Sequence, residues 1–64
     1  MIHWVIIRKF NDRYCETINE FRTKKDALEF WGNRGILLVD GESEIYLWKV
    51  KSSGEITKES RLSD

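Results

Sequence analysis

Apolar side chains follow a strand-like pattern in the first and last thirds of the chain and a helix-like one between them. Ile2–Phe10 is dense in β-branched and aromatic residues, which suit a pleated surface. Asn11-Asp12-Arg13 then reads as a turn, because Asn and Asp bond their own backbone and tolerate left-handed conformations. Tyr14–Phe21 reads as the returning strand. Its alternation is poor, and Glu16 and Glu20 suit an edge or a solvent-facing position. Thr23 opens a helix: its hydroxyl can accept from the amide three residues on, where Asp26 stands in a capping-box arrangement. Within Lys24–Trp31, residues Ala27, Leu28, Phe30 and Trp31 fall within about 160° of arc, with Lys25 and Glu29 opposite. Gly32 and Gly35 are stop signals.

Beyond them Ile36–Val39 reads as a short aliphatic strand, and Asp40-Gly41 as a hairpin connection. Glu44–Lys51 is the clearest strand of all. Ser52-Ser53-Gly54 turns it into a last strand near Glu55–Glu59, whose single apolar residue, Ile56, marks it as an edge. The residues from Ser60 read as a loose tail, so the compact domain is expected over 1–59, with 60–64 trailing. The expected fold is α+β: a small, mostly antiparallel sheet in ββαβββ order with one helix packed on one face.

Alternation then raises a question about the sheet's two sides. In the first strand Ile2, Trp4, Ile6 and Phe10 share a side and Val5 and Ile7 take the other. In the fourth, Tyr46, Trp48 and Val50 oppose Ile45 and Leu47. Both strands are apolar on both sides, yet one short helix can cover only one. Compact Val5, Ile7, Ile45 and Leu47 fit beneath Phe30 and Trp31 of the helix. That arrangement leaves Trp4, Tyr46 and Trp48 on the free side, where amphipathic aromatics favour an interface. The competing reading makes both sides core, with a loop or the carboxyl tail folded over the second.

Composition narrows the classes. With 41% apolar residues and no net charge, the chain is not disordered. Its longest apolar runs, Trp4–Ile7 and Ile36–Val39, fall far short of the ~18 residues of a membrane helix. Cys15 is the only cysteine, which excludes an internal disulfide and suits the cytoplasm. The first apolar run precedes its basic pair, Arg8-Lys9, the reverse of a secretory signal. A domain of this size buries only about 60% of its unfolded surface and leans on good packing or on association.

Chemistry finds little purchase. His3 is the only imidazole and sits in an apolar strand without a nucleophile to serve, so it reads as half-exposed filler. Cys15 reads as a small buried or half-buried thiol. No phosphate loop, dinucleotide fingerprint or zinc-ligand spacing is present, and no catalytic residue, cofactor or metal is expected. Nucleic acid is the stronger alternative. Aromatics flanked by Arg8, Lys9, Lys49 and Lys51, with a basic corner at Arg22, Lys24 and Lys25, could stack bases and hold phosphates. Zero net charge weighs against it.

Phe21-Arg-Thr-Lys-Lys-Asp-Ala27 carries two resemblances. A strand end followed by F-x-T-K-x-E/D-A at a helix start resembles small bacterial and phage ββαβ domains of uncharacterised function. Gly54-Glu55-Ile56 matches the G-x-I element of their final strands. Over about residues 4–31 the chain also resembles the arm-type DNA-binding domain of phage tyrosine integrases, which implies DNA contact through sheet residues. Glu16 and Glu20 depart from the basic strands of that family. The resemblance to the small domains implies a phage-encoded or phage-derived accessory protein. Taken with the apolar free face, the expectation is a non-enzymatic binding protein. It would act by homodimerisation or by holding a protein partner through Trp4, Tyr46 and Trp48, with no role at a membrane.

Overall fold

The computed structural model describes residues 3–11 and 13–63, so Ile2 and Asp12 of the expected first strand and turn lie outside the described residues. The chain is α+β: strands β1 (His3–Lys9) and β2 (Cys15–Phe21), helix α1 (Lys24–Leu38), then strands β3 (Glu44–Val50) and β4 (Ile56–Arg61). The strands form one antiparallel sheet in the order β2-β1-β3-β4, which leaves β2 and β4 as its edges.

The strand expected at Ile36–Val39 is instead the end of the helix, with Ile36–Leu38 in its last turn and Val39 as its C-cap, so the order is ββαββ with four strands. Topology supplies the reason. β2 and β3 both run antiparallel to β1, so they run parallel to each other, and the link between them must return along the whole sheet. Seven strand residues span about 23 Å at 3.3 Å each, and fifteen helical residues span about 22 Å at 1.5 Å each. A helix ending at Gly32 would stop well short.

Neither glycine acts as a stop. Gly35 is buried under Trp31, whose ring a Cβ at that position would meet at 2.8 Å. The two residues one turn apart therefore need glycine in order to nest. Thr23 caps the helix start by accepting from the Asp26 N–H at 3.1 Å. Its end is capped from the sheet: Arg8 Nη2 donates to the Leu38 carbonyl at 2.8 Å, and places a cation at a negative helix terminus.

α1 packs on β1 and β2. Ile6, Ala27, Ile45 and Leu47 form the buried centre, closed by Trp4, Ile18, Phe21, Phe30, Trp31, Leu38 and Leu62. A bulge explains the poor alternation of β2. Ile6 pairs with Asn19 and Ile7 with Thr17, so Ile18 is the extra residue. Ile18 and Phe21, three apart, thereby reach the same core, where regular alternation would send them to opposite sides.

The end of the chain is not loose through Ser63. Ser60 and Arg61 belong to β4, and Leu62 joins the core. Leu62 and Ser63 N–H both donate to the Ile45 carbonyl, at 2.7 and 3.3 Å, while the buried Ser63 hydroxyl accepts from the Ile45 N–H at 2.9 Å.

Candidate interaction face

Strand register fixes which side chains stand together. Val5 pairs with Trp48, Ile7 with Tyr46, and His3 with Val50. Trp4, Ile6 and Arg8 take the other side and face the helix. The expected grouping of Trp4 with Tyr46 and Trp48, and of Val5 and Ile7 with Ile45 and Leu47, is thus corrected by one strand. β3 is oriented as expected, with Tyr46 and Trp48 away from the helix, while β1 is turned over. Sequence alternation defines two sets per strand but not how the sets of neighbouring strands match, and the match here follows from antiparallel register.

On the helix-free side three rows cross the sheet. Glu20, Val5, Trp48 and Glu59 form one; Thr17, Ile7, Tyr46 and Arg61 form the next; His3, Val50 and Ile56 form the third. Val5, Ile7 and Val50 are almost fully buried although none of the described elements lies over them; Trp48 packs against them within the layer. Ile56, 42% exposed, extends the patch to the edge. A second bulge, with Val50 paired to Ile56 and Lys49 to Lys58, makes Thr57 the extra residue and brings Ile56 to this side with Glu59.

The rim is polar. Lys9 Nζ lies 5.0 Å from the centroid of the Tyr46 ring, within cation–π range. Tyr46 donates its hydroxyl to Glu44 Oε2 at 2.9 Å, and that bond to a carboxylate holds the proton and raises the phenol's pKa. Arg61 Nη1 approaches Glu44 Oε1 at 3.6 Å. The indole Nε1 of Trp48 is enclosed and without a hydrogen-bond partner among the described residues. His3 is half-buried in the same layer. Cys15 is exposed at the start of β2, not buried as its residue type suggested.

The basic residues named for nucleic acid do not share one surface. Arg8 is engaged at the helix end, and its Nη1 stands 3.6 Å from Glu16 Oε1. Lys9 lies on the opposite side of the sheet. Arg22, Lys24, Lys25 and Lys49 gather at the other end of the molecule, with Lys51 just past β3. There Lys24 and Lys49 hold their ammonium groups 5.8 and 5.5 Å from the Trp4 ring centroid. That aromatic-basic corner is the site that strand alternation missed; the Trp4–Lys49 pairing makes it visible only once the register is known.

Among the described residues no group of three or more His, Cys, Asp and Glu stands close enough to hold a metal. No helix is long and apolar enough to cross a membrane. No protein-family model matches the chain, and no curated protein or solved structure matches it either.

Proposed function

We propose that the chain is a non-enzymatic binding module that holds a protein partner on the helix-free side of its sheet. The observation that carries this reading is the continuous layer of Val5, Ile7, Tyr46, Trp48, Val50 and Ile56, over which none of the described elements lies. A large aromatic at the centre, apolar neighbours around it and mixed charges at the rim is the anatomy of a protein interface. Trp48 and Tyr46 are the anchors; Trp4 is not part of this surface.

Rim charge favours protein over nucleic acid on this side. Glu20 and Glu59 stand at the two ends of the row that holds Trp48, and Glu44 lies beside Tyr46. Stacked bases would bring phosphates against these carboxylates. A second reading is favoured only at the Trp4 corner, where Lys24 and Lys49 flank an aromatic ring and would receive a single-stranded segment. It predicts affinity that falls steeply with salt and is lost in a Lys24→Ala/Lys49→Ala variant.

Site-specific photo-crosslinking from position 46 identifies the partner, and its affinity is then measured against variants. Trp48→Ala should weaken binding by ~2 kcal/mol or more, while far-ultraviolet circular dichroism keeps the helix signal. Full affinity in both Trp48→Ala and Tyr46→Ala would remove the sheet face from the account.

A further inference from the structure

The outward side of α1 is the most exposed apolar surface among the described residues, and it is separate from the sheet face. Ile36 is 86% exposed, with Leu28 at 42% and Val39 at 46%; Leu37, 80% exposed, points about 100° around the axis from Ile36 and off this ridge. Leu28, Gly32 and Ile36 recur every four residues, a step that drifts only about 40° around a helix, so they form one ridge. Ile36 stands about 160° around the axis from Leu38, which packs inward, so it points away from its own core. Beside the ridge runs a groove of about 440 Å³ bounded by Trp31, Gly35, Val39 and Leu62.

Gly32 is the second observation. A Cβ there would meet nothing within 4 Å, whereas Gly35 is required by Trp31. Glycine in a helix interior is destabilising relative to alanine, and nothing among the described residues accounts for it at position 32. Close approach of another backbone would account for it.

Charge identifies the occupant. Arg22, Lys24 and Lys25 outnumber Asp26 at the helix start; Asp40 and Glu42 follow its end, where the last turn holds no basic residue of its own and Arg8 is engaged by the Leu38 carbonyl and Glu16. Lys24 lies eight residues before Gly32, about 12 Å along the axis at helical rise, and Asp40 follows the helix end at Leu38 by two residues. Two such helices laid antiparallel with Gly32 at the crossing bring Leu28 of each against Ile36 of the other. The same arrangement sets the basic start of each over the acidic end of its partner. A parallel pair would oppose like charges.

We infer that α1 is a self-association surface, on which a second copy of this chain packs its own α1 antiparallel across Gly32. The resulting two-fold dimer carries its two helix-free sheet faces on its outer sides, so that it presents two partner sites. The inference stands independently of what the sheet face binds.

Sedimentation equilibrium from low to high micromolar concentration tests it. Wild type should dimerise, and Ile36→Glu should weaken the dimer at least about tenfold. Gly32→Leu should do the same, although a Cβ at that position meets nothing within 4 Å among the described residues. Lys25→Glu should weaken association and added Glu42→Lys should restore it, while Trp48→Ala leaves it unchanged. A wild-type monomer at high micromolar concentration overturns the proposal. So does a dimer indifferent to both Ile36→Glu and Gly32→Leu, or one dissociated by Trp48→Ala, which would move the contact to the sheet face or to a different occupant of the ridge.

Discussion

The two sides of this sheet bury equally apolar centres in different ways. Toward the helix, Ile6 and Ile45 reach 0% exposure under a second layer of Phe30, Trp31 and Leu38. On the opposite side Val5 and Ile7 reach 5% and 3% with no second layer among the described residues, and Trp48 packs beside them. Similar exposure therefore conceals different surroundings. One centre is enclosed from above and below; the other is a floor that lacks a ceiling. The first is the enclosed core of the fold, and the second is the surface we propose for a partner.

The sharpest way to break this comparison is to cut the same side chain on each side. Ile45→Ala should cost about 2–5 kcal/mol, because the enclosed site keeps a cavity. For so small a domain that is much of the total stability. Ile7→Ala should cost clearly less, near about 1–2 kcal/mol, since neighbours and water can close over an open floor. Urea denaturation of the two variants measures the difference. Equal losses would mean that the helix-free layer is packed as tightly as the core.

Next in size is a pair of glycines on one helix. Gly35→Ala must displace the Trp31 ring, found 2.8 Å from the new Cβ, and should cost about 1–3 kcal/mol as an overpacked site does. Gly32→Ala enters open space and should stabilise the isolated chain by about 0.5–1 kcal/mol. Thermal melts at concentrations below self-association read both signs.

The smallest effect is electrostatic and lies in the link from α1 to β3. N–H groups of Ser43 and Glu42 each donate to Asp40 Oδ1 at 2.9 Å, as does the Ser43 hydroxyl. The Ser43 amide leads these causes in holding the Asp40 carboxyl at about 2, below its ordinary 3.8. The fold thus favours the charged form. Its contribution is present above the ordinary value and is lost as pH falls through about 2. Asp40→Asn should show a shallower fall in urea midpoint between these limits than wild type, and an identical pH profile would remove Asp40 from the linkage.

What the sequence made legible follows the same division. The class α+β, the Thr23 cap, the edge positions of β2 and β4 and the outward side of Tyr46 and Trp48 were readable, because each depends on local chemistry or on alternation within one strand. The extra helical turns at Ile36–Leu38 were not. An aliphatic run fits a strand or a helix equally well, and only the parallel relation of β2 and β3 demands the longer return. Trp4 was misplaced beside Trp48 for a related reason: facing across strands is a property of register. The two bulges, at Ile18 and Thr57, did leave a trace as apolar residues three apart, Ile18 with Phe21, and as a lone Ile56 in a polar strand.

Three tryptophans mark three surfaces: Trp48 the helix-free sheet face, Trp31 the helix groove and Trp4 the basic corner. Fluorine spectra of 5-fluorotryptophan-labelled protein, titrated with the partner captured from position 46, read all three at once. The Trp48 resonance should shift or broaden while Trp4 and Trp31 hold their positions. A spectrum in which Trp4 or Trp31 moves and Trp48 stays fixed would contradict the assignment of binding to the helix-free face.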